Sequence, residues 1–503
     1  MDENTPVIIG VGQYSERVDQ AGYRELSHMD LAGEALNAAF ADAQAKRKLG
    51  PALDTLAAIR QFEISGTRYG APFGHANNPP RAIARRAGGN PKRAILEVVG
   101  GQGPQRLVSE LAAEIAAGRS GLAAVVGAEA ISTVRALVAR GEQRDWSETR
   151  RGTIEDRGYG HEGVYDAALL KHGAGTPIAS YALAENVRRE RLGLSLQDYR
   201  DEIARLFAPF TRVAAGNPHA AAPVARSAAE LATLDERNRL VAEPYGRLVV
   251  ARDQVNQGAA VVLASVAEAR RLGVPEHRWV YIHGAADCAE PSLLTRADLE
   301  QSPAAVAAIS SALEIAGQGW ENLSAIDLYS CFAIPVFNLL DAFGLDRNDP
   351  RGWTLTGGLP FFGGAGNNYS AHGIAEAVQR CRAEPGSFAL VGANGGIMSK
   401  YAAAIYSTAP ASWKKSRWQS LPKVKPAFAV LDTHDGEAVA ESFTIQPGKA
   451  GETATLVARI EDARVVANST DPAVCTELRS GKVSGRAVRV EEGEKGVNRF
   501  WFI

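Results

Sequence analysis

Apolar positions in the first part of the chain predict a strand, a glycine turn, a helix and a second strand in close succession. Residues 94–99, AILEVV, form a continuous apolar run of the buried-strand type, and they lead into the turn Gly100-Gly101-Gln102-Gly103. The run at 122–126 is strand-like again and ends at Gly127-Ala128. Between them, apolar residues recur at helical spacing, at Leu107, Val108, Leu111, Ala112, Ile115 and Ala116.

The same order of elements recurs in the second part of the chain. Residues 326–332 are strand-like, 363–366 (GGAG) form a glycine turn, 374–381 are helix-like, and 388–391 form a strand that ends at Gly392-Ala393. The two glycine turns begin 263 residues apart, and the glycines that end the two strands are 265 residues apart. These offsets indicate an internal duplication of an α/β unit, with chance alignment of glycine-rich turns as the alternative.

Three further segments depart from this repeated order. Residues 150–243 carry helix-like patterns with little strand signal, which predicts an inserted, mainly helical and loop subdomain. Residues 408–425 are rich in Lys, Arg and Trp and are typical of a solvated linker, with a contact to an anionic partner as the alternative. From residue 427 onward, short β-type runs separated by Gly, Asp and Glu predict a small antiparallel barrel or sandwich.

Composition narrows the class of protein. A chain of 503 residues with 46% hydrophobic and 22% charged residues is typical of a soluble globular protein, and its net charge of -2 argues against nucleic acid as a partner. The four cysteines form no CxxC pair, so we expect neither a zinc site nor a disulfide framework. The N-terminus does not resemble a secretory signal, and no apolar stretch is long enough to span a membrane, so the cytoplasm is the expected compartment.

The stretch 356–378, TGGLPFFGGAGNNYSAHGIAEAV, joins a glycine-rich turn directly to a helix-forming run. Glycines allow backbone conformations that other residues rarely adopt, and the first turn of a helix presents free N–H groups. Such a turn is a common site for a negative or developing negative charge. The alternative is a glycine-rich connection that only reverses the chain.

Four motifs make the chain resemble the thiolase superfamily over about residues 6–407. They are DQVNQGAAVVLAS at 253–265, IDLYSCF at 326–332, TGGLPFFGGAGNNYSAH at 356–372 and GANGGIMSK at 392–400. The last stretch is similar to the additional C-terminal domain of thiolase-like proteins called type 1. The resemblance implies the α/β thiolase fold, in which two βαβαβαββ halves form five layers, αβαβα.

The resemblance also implies a division into domains. We expect the N-terminal half at 1–149 and 244–275, a loop domain inserted at 150–243, the C-terminal half at 276–407, a linker at 408–425, and a small antiparallel β domain at 426–503 that is similar to oligonucleotide/oligosaccharide-binding (OB) folds.

The catalytic positions of thiolases carry other residues in this chain. By the resemblance, the nucleophilic cysteine falls on Gly100, the oxyanion-hole histidine on Gly364, and the acid/base cysteine on Ala393. The asparagine or histidine of a further active-site motif falls on Tyr329. Because a glycine cannot attack a thioester, we do not expect thiolysis or Claisen condensation through a covalent acyl-enzyme.

Four residues near these positions are the candidate catalytic groups. Tyr329 and Cys331 alternate along the predicted strand and would face the same side, while Tyr369 and His372 are one helical turn apart. Cys331 corresponds to a cysteine of the sterol-carrier branch of thiolases, with an ordinary buried cysteine as the alternative. We expect Tyr369 or His372 to donate a hydrogen bond or exchange a proton. In the alternative interpretation, His372 is a structural histidine.

Candidate ligand-binding residues surround the same turns. They are Gly100, Gly364, Asn367, Asn368, Asn394 and Gly395. Asn367 or Asn368 has a competing interpretation as the cap of the following helix. The ligand implied by the resemblance is coenzyme A, as thioester substrate or bound ligand, and no metal is expected.

Three functions are consistent with this pattern. The first is an enzyme that acts on acyl-CoA without a covalent step, as in the steroid-degrading thiolase-like retro-aldolases, which carry tyrosines in similar regions and work with a separate OB-fold partner. The second is a non-catalytic acyl-CoA or lipid-intermediate binder. The third is a structural module whose β domain recruits another protein. Thiolases are usually homodimers, and a monomer is the alternative if the additional domain covers the dimer surface.

Overall fold

The computed structural model describes residues 2–66, 70–413 and 416–503. The N-terminal half begins with β1 (Pro6–Ser15), α1 (His28–Asp42), β2 (Thr55–Ala58), α2 (Pro79–Arg86), β3 (Arg93–Leu96), α3 (Gly103–Ala116), β4 (Leu122–Ala130) and α4 (Ile131–Ala139). The segment that follows contains β5 (Glu155–Asp156), α5 (Ala167–Lys171), α6 (Pro177–Arg191), α7 (Leu196–Gly216), α8 (Ala228–Ala232), β6 (Leu240–Ala242) and β7 (Tyr245–Gly246). The chain then returns to the first half with β8 (Asn256–Ser265) and α9 (Val266–Leu272).

The second half and the C-terminal region complete the chain. The second half contains β9 (Tyr281–Ala289), α10 (Pro303–Ala316), β10 (Leu323–Leu328), α11 (Ile334–Phe343), α12 (Tyr369–Ala383), β11 (Phe388–Gly395) and β12 (Lys400–Ser407). Beyond it lie β13 (Trp418–Ser420), β14 (Ala429–Val430), β15 (Gly436–Gly448), β16 (Gly451–Ile460), β17 (Ala463–Ser469), α13 (Pro472–Ser480), β18 (Ala487–Glu492) and β19 (Asn498–Phe502). No helix in the described part of the chain is long and apolar enough to cross a membrane.

Four strands of each central sheet follow the same order, β1-β8-β4-β2 in the first and β9-β12-β11-β10 in the second, which is the structural signature of a duplication. The first sheet runs β1-β8-β4-β2-β3-β5 and the second runs β10-β11-β12-β9-β13. In the first sheet, the pairs β1–β8 and β8–β4 are antiparallel and the pair β4–β2 is parallel. In the second sheet, the pairs β9–β12 and β12–β11 are antiparallel and the pair β11–β10 is parallel. The duplication predicted from the two glycine turns is therefore confirmed.

Five layers of secondary structure build the body of the protein. Helices α3 and α12 lie between the two sheets, where apolar residues of both helices and both sheets form one buried cluster. Helices α1 and α2 cover the outer face of the first sheet, and α10 covers the outer face of the second. This is the αβαβα thiolase fold that the resemblance implied, and it places the glycine turns before α3 and α12 in the protein interior.

The C-terminal region forms a closed five-stranded barrel. The strand order is β17-β16-β15-β18-β19, and β17 pairs with β19 to close the barrel. Strand β17 and helix α13 were not predicted, although ARVVA at 463–467 is a buried apolar run. The barrel agrees with the predicted small antiparallel β domain.

The segment predicted to be a solvated linker is in part a strand of the second sheet. Strand β13 pairs in parallel with β9, and the indole N–H of Trp418 donates a hydrogen bond to Asp287 at 2.7 Å. Residues 418–420 are therefore a paired edge strand instead of an unpaired linker, although Gln419 and Ser420 are exposed to solvent as predicted. Residues 414–415, which belong to the same predicted linker, lie outside the described residues.

Candidate functional site

The two glycine turns meet at the centre of the body. The backbone N–H of Gly100 donates to Oδ1 of Asn367 at 2.9 Å, and the hydroxyl of Ser370 donates to the carbonyl of Gly101 at 2.7 Å. Asn367 and Ser370 belong to the turn and the first residues of α12, whereas the glycines precede α3. One centre is thus built from both halves, around the two glycine turns that the repeated pattern identified as equivalent.

Gln102 fills the space beside Gly100, and sequence reasoning did not single it out. A Cβ atom on Gly100 would lie 2.1 Å from Oε1 of Gln102, and a Cβ on Gly395 would lie 1.9 Å from the same oxygen. Gln102 is only 4% exposed, and its Oε1 accepts no hydrogen bond from the described part of the chain. The one available signal was a long polar side chain within a run of glycines.

Tyr329 lies against the first glycine turn, although it is not on a strand. Strand β10 ends at Leu328, so the predicted strand at 326–332 is too long and the alternation argument for Tyr329 and Cys331 does not apply. The chain leaves the sheet here, because the carbonyl of Cys331 accepts a hydrogen bond from Ala251 rather than from β11. A Cβ on Gly101 would lie 2.3 Å from the Tyr329 hydroxyl, which places that hydroxyl on the turn.

Cys331 and Asn394 lie on the same side of the centre as Tyr329. The side-chain amide of Asn394 donates to Sγ of Cys331 at 3.8 Å and to the hydroxyl of Tyr181 at 2.9 Å. Burial raises the pKa of the Cys331 thiol to about 12, so the group is a neutral thiol at physiological pH. Tyr181 comes from α6 of the insertion and was not predicted as a site residue.

Tyr369 and His372 lie together in the first turn of α12, as predicted. The Tyr369 hydroxyl is 2.5 Å from Oγ1 of Thr356, and the Phe362 ring packs edge-on against both side chains. Nδ1 of His372 donates to Oε1 of Gln13 at 2.7 Å, whereas Nε2 is buried and has no partner in the described part of the chain.

The protonation states follow from burial. Burial, with a smaller effect of His219, lowers the pKa of His372 to about 3, so the imidazole is neutral. Burial also raises the pKa of Tyr329 and of Tyr369 well above that of free tyrosine. With Cys331 a neutral thiol, all four candidate catalytic groups are uncharged near neutral pH.

The asparagines of the second turn make no capping hydrogen bond to α12. Asn368 stands at the N-cap position of that helix, as one alternative predicted, but neither asparagine side chain bonds to the helix N-terminus. Instead, the Asn367 amide donates to the carbonyl of Arg60 at 2.7 Å, and the Asn368 amide donates to the carbonyl of Gly127 at 2.7 Å. Both asparagines satisfy backbone groups of the other half, which is how buried polar side chains are normally stabilised.

A backbone hydrogen bond holds Gly364 in place. Its N–H donates to the carbonyl of Arg252 at 2.7 Å, and a Cβ at this position would lie 3.2 Å from that oxygen. Gly364, like the four candidate catalytic groups, therefore brings no charge to the centre near neutral pH. Within residues 2–66, 70–413 and 416–503, no cluster of three His, Cys, Asp or Glu side chains is placed to hold a metal ion.

The fold and this centre define a thiolase-like protein. The structure is similar to an Ltp2-ChsH2(DUF35) aldolase, with a TM-score of 0.58, 20% identity, and coverage of 80% of this chain and 98% of that one. It is similar to an acetyl-CoA acetyltransferase from Syntrophomonas wolfei, with a TM-score of 0.56, 16% identity, and coverage of 80% and 99%. At these identities the likeness establishes the fold alone.

A full-length relative establishes the family. A monomeric SCP2-thiolase like protein type 1 from Mycobacterium smegmatis is 42% identical, with a TM-score of 0.84 and coverage of 100% of both chains. Residues 419–495 match the thiolase-like protein type 1 additional C-terminal domain. The chain belongs to the SCP2-thiolase-like protein type 1 family. No curated protein sequence matches it.

Proposed function

We propose that this protein binds acyl-CoA thioesters without forming a covalent acyl-enzyme. The observation that carries the proposal is the Gln102 carboxamide, which occupies the space beside Gly100 where a nucleophilic side chain would stand. Gly100 brings no reactive atom, and the nearby Cys331 thiol, with its pKa raised to about 12, is a poor nucleophile. Coenzyme A is the proposed ligand, and Gly100, Gly364, Asn394 and Gly395 are its proposed contacts.

Occupation of this centre requires the Gln102 side chain to move. Because Oε1 of Gln102 lies so close to both Gly100 and Gly395, a thioester carbonyl that reaches the turn must displace the carboxamide. Displacement would expose the backbone N–H groups at the start of α3, to which Oε1 of Gln102 makes no hydrogen bond, to the carbonyl oxygen. Shortening Gln102 to alanine should therefore strengthen thioester binding, since the ligand no longer displaces a packed side chain.

Two measurements on the full chain test the proposal. Titration calorimetry with coenzyme A and a series of acyl-CoAs should show saturable binding, tighter for Gln102→Ala. Intact-protein mass spectrometry after incubation should show no acyl adduct, and the acyl-CoAs should be recovered unchanged. A covalent adduct would overturn the non-covalent proposal, and failure of every acyl-CoA to bind would overturn the ligand class. Gln143→Ala, at an exposed position, is the matched control.

A second candidate function is carbon–carbon cleavage of a 3-hydroxyacyl-CoA. The observation that favours it is the Tyr329 hydroxyl on the first turn, with its ring packed edge-on against Tyr369 at a centroid distance of 5.2 Å. In such a retro-aldol step the β-hydroxyl loses its proton, the α–β bond breaks to give a carbonyl compound, and the thioester enolate takes up a proton. Tyr329 and Tyr369 would exchange these protons.

The phenylalanine variants decide whether this second function holds. Incubation with a panel of 3-hydroxyacyl-CoAs, read by mass spectrometry, should yield a shorter acyl-CoA and an aldehyde or ketone. Tyr329→Phe and Tyr369→Phe should abolish both products, whereas Tyr14→Phe, away from the centre, should not. Turnover that survives both site variants would discard the assignment.

We further propose that the protein is a monomer. Strand β5 pairs in parallel with β3 through Glu155 and Asp156, which covers the edge of the strand that leads into the Gly100 turn. That edge would otherwise be free to pair with a second copy. Light scattering coupled to size exclusion should give the mass of one chain, and a dimer across the concentration range would contradict this proposal.

A further inference from the structure

An open pocket of about 430 Å³ lies directly beside the second glycine turn. Its lining includes Ser15, Arg17, His219, Arg252, Asn256 and Gln257. Arg252 contacts the turn through its backbone, because its carbonyl accepts the hydrogen bond from the N–H of Gly364. The pocket thus adjoins the candidate centre and faces solvent.

The pocket carries an arginine without a carboxylate partner. The three other charged lining residues, Glu16, Arg17 and Asp19, are neutralised locally, since Glu16 pairs with Arg24 at 3.3 Å and Arg17 pairs with Asp19 at 3.5 Å. Across residues 2–66, 70–413 and 416–503, no carboxylate lies within ion-pair distance of the Arg252 guanidinium. The neighbouring carboxylate, Asp253, pairs with Arg135 at 3.0 Å.

Two more arginines increase the positive charge around Arg252. Burial is the main cause that lowers the pKa of Arg252; repulsion from Arg247 and Arg226 contributes in the same direction, and attraction by Asp253 acts against it. Arg226 has a carboxylate, Glu230, at 3.7 Å, but Arg247 has none within ion-pair distance in the described part of the chain. Guanidinium groups that repel one another are stabilised by an anion of more than one charge.

The floor of the pocket supplies an unused hydrogen-bond donor. Asn256 is 2% exposed, and its Oδ1 accepts a hydrogen bond from the backbone N–H of Thr133 at 2.9 Å. Its amide Nδ2 is buried and donates to no group in the part of the chain that the structure describes. A buried donor without a partner is costly, and a ligand oxygen in the pocket would satisfy it.

We propose that this pocket is a phosphate-binding site, with Arg252 as its principal contact, Arg247 and Arg226 as supporting charges, and Asn256 as a donor from the floor. The site would hold a phosphate ester group of the thioester ligand, so in that part the proposal rests on the proposed function. The planar guanidinium of Arg252 is suited to two parallel hydrogen bonds with phosphate oxygens.

Titration calorimetry on the full chain tests the site with three probes: coenzyme A, pantetheine, which lacks the phosphates, and inorganic diphosphate. Arg252→Gln should raise the Kd of coenzyme A and of diphosphate by roughly tenfold or more, in line with a lost charge-assisted hydrogen bond. The Kd of pantetheine should not change. Arg252→Lys, which keeps the charge, should have a smaller effect, and Arg380→Gln, an exposed arginine on α12, is the matched control.

The possible results separate this site from the proposed function. If diphosphate binds and is lost in Arg252→Gln while no acyl-CoA binds, the phosphate site stands and the thioester proposal fails. If coenzyme A binds equally to the wild type and to Arg252→Gln, the phosphate site is overturned and the thioester proposal stands. If neither coenzyme A nor diphosphate binds, both are overturned. Thermal unfolding of each variant confirms that the chain is folded during the titrations.

Discussion

Replacing Gly395 with alanine should destabilise the protein through a clash with a single side chain. The added Cβ would lie 1.9 Å from Oε1 of Gln102 and 3.1 Å from the Cα of Gly100. The first distance is far inside van der Waals contact, and Gln102 is buried, so its carboxamide must be forced into another position within a packed interior. Overpacking of this kind costs about 1–3 kcal/mol in unfolding free energy.

A double-mutant cycle isolates that clash. Gln102→Ala removes the oxygen that the new methyl would meet, so Gly395→Ala/Gln102→Ala should be little less stable than Gln102→Ala alone. The coupling energy between the two substitutions should then be about 1–3 kcal/mol in the direction of rescue. Gly100→Ala should be rescued less completely, because Gly100 has φ = +138°, a conformation that is strained for alanine even without Gln102.

Urea denaturation followed by circular dichroism provides the unfolding free energies. Gly216→Ala is the matched control, because a Cβ at the end of α7 meets no atom within 4 Å. It should be neutral or slightly stabilising, since alanine favours the helix over glycine. Additive effects of Gly395→Ala and Gln102→Ala, within about 0.5 kcal/mol, would refute the placement of Gln102 between the two glycines.

Three further predictions concern stability. The pKa of folded His372 is about 3, below the value of about 6.5 in the unfolded chain, so the unfolded chain takes up the proton first and stability should fall as the pH drops through this range. His372→Asn should lessen the loss of stability between pH 7 and 5 by roughly 2 kcal/mol, measured by urea denaturation. An unchanged pH profile would contradict the buried neutral imidazole. Asn367→Ala should cost about 2–3 kcal/mol, because it leaves the N–H of Gly100 and the carbonyl of Arg60 without their partner. Ser65→Ala should cost less, because it loses a 3.4 Å contact to Asn367 and a local hydrogen bond from its hydroxyl to the carbonyl of Gln61 but leaves both bonds between the halves intact; equal costs would refute the cross-link between the halves. Arg464→Met should cost about 3–5 kcal/mol, because this arginine is 2% exposed, donates to the carbonyls of Leu294 and Arg296, and pairs with Glu441. Arg459→Met should change stability by less than about 1 kcal/mol, because the Arg459 side chain is 46% exposed and pairs with the same Glu441. Similar effects would show that the buried contacts between the barrel and the body matter little.

The Arg464 contacts also bear on the role of the additional domain. Arg464 lies on β17 of the barrel and hydrogen-bonds the backbone of residues 294 and 296, and Arg296 in turn donates to the carbonyl of Ile397. The next residue, Met398, donates its N–H to the Tyr181 hydroxyl, which also accepts from Asn394. A continuous series of hydrogen bonds therefore connects the C-terminal barrel to the candidate centre.

Much of the architecture could be predicted from local pattern, because the pattern records burial. Continuous apolar runs marked strands covered on both faces, helical spacing marked α3 and α12, and the glycine landmarks marked the two equivalent turns. The resemblance in four motifs then supplied the fold. Local pattern failed where the chain leaves a sheet without a change in hydrophobicity, as after Leu328, and where a polar segment is held by backbone pairing, as at Trp418.

The candidate centre depended on contacts between residues that are distant in sequence. The residues of the two turns could be identified in advance, as could the absence of a side chain at Gly100. Only the tertiary structure decided that Gln102 fills the space above Gly100 and Gly395, that Asn367 bonds to the other half instead of capping its own helix, and that β5 covers the edge of β3. The chemistry of a side chain determines which partners it can bind. The packing of elements that lie hundreds of residues apart determines which of those partners is within reach.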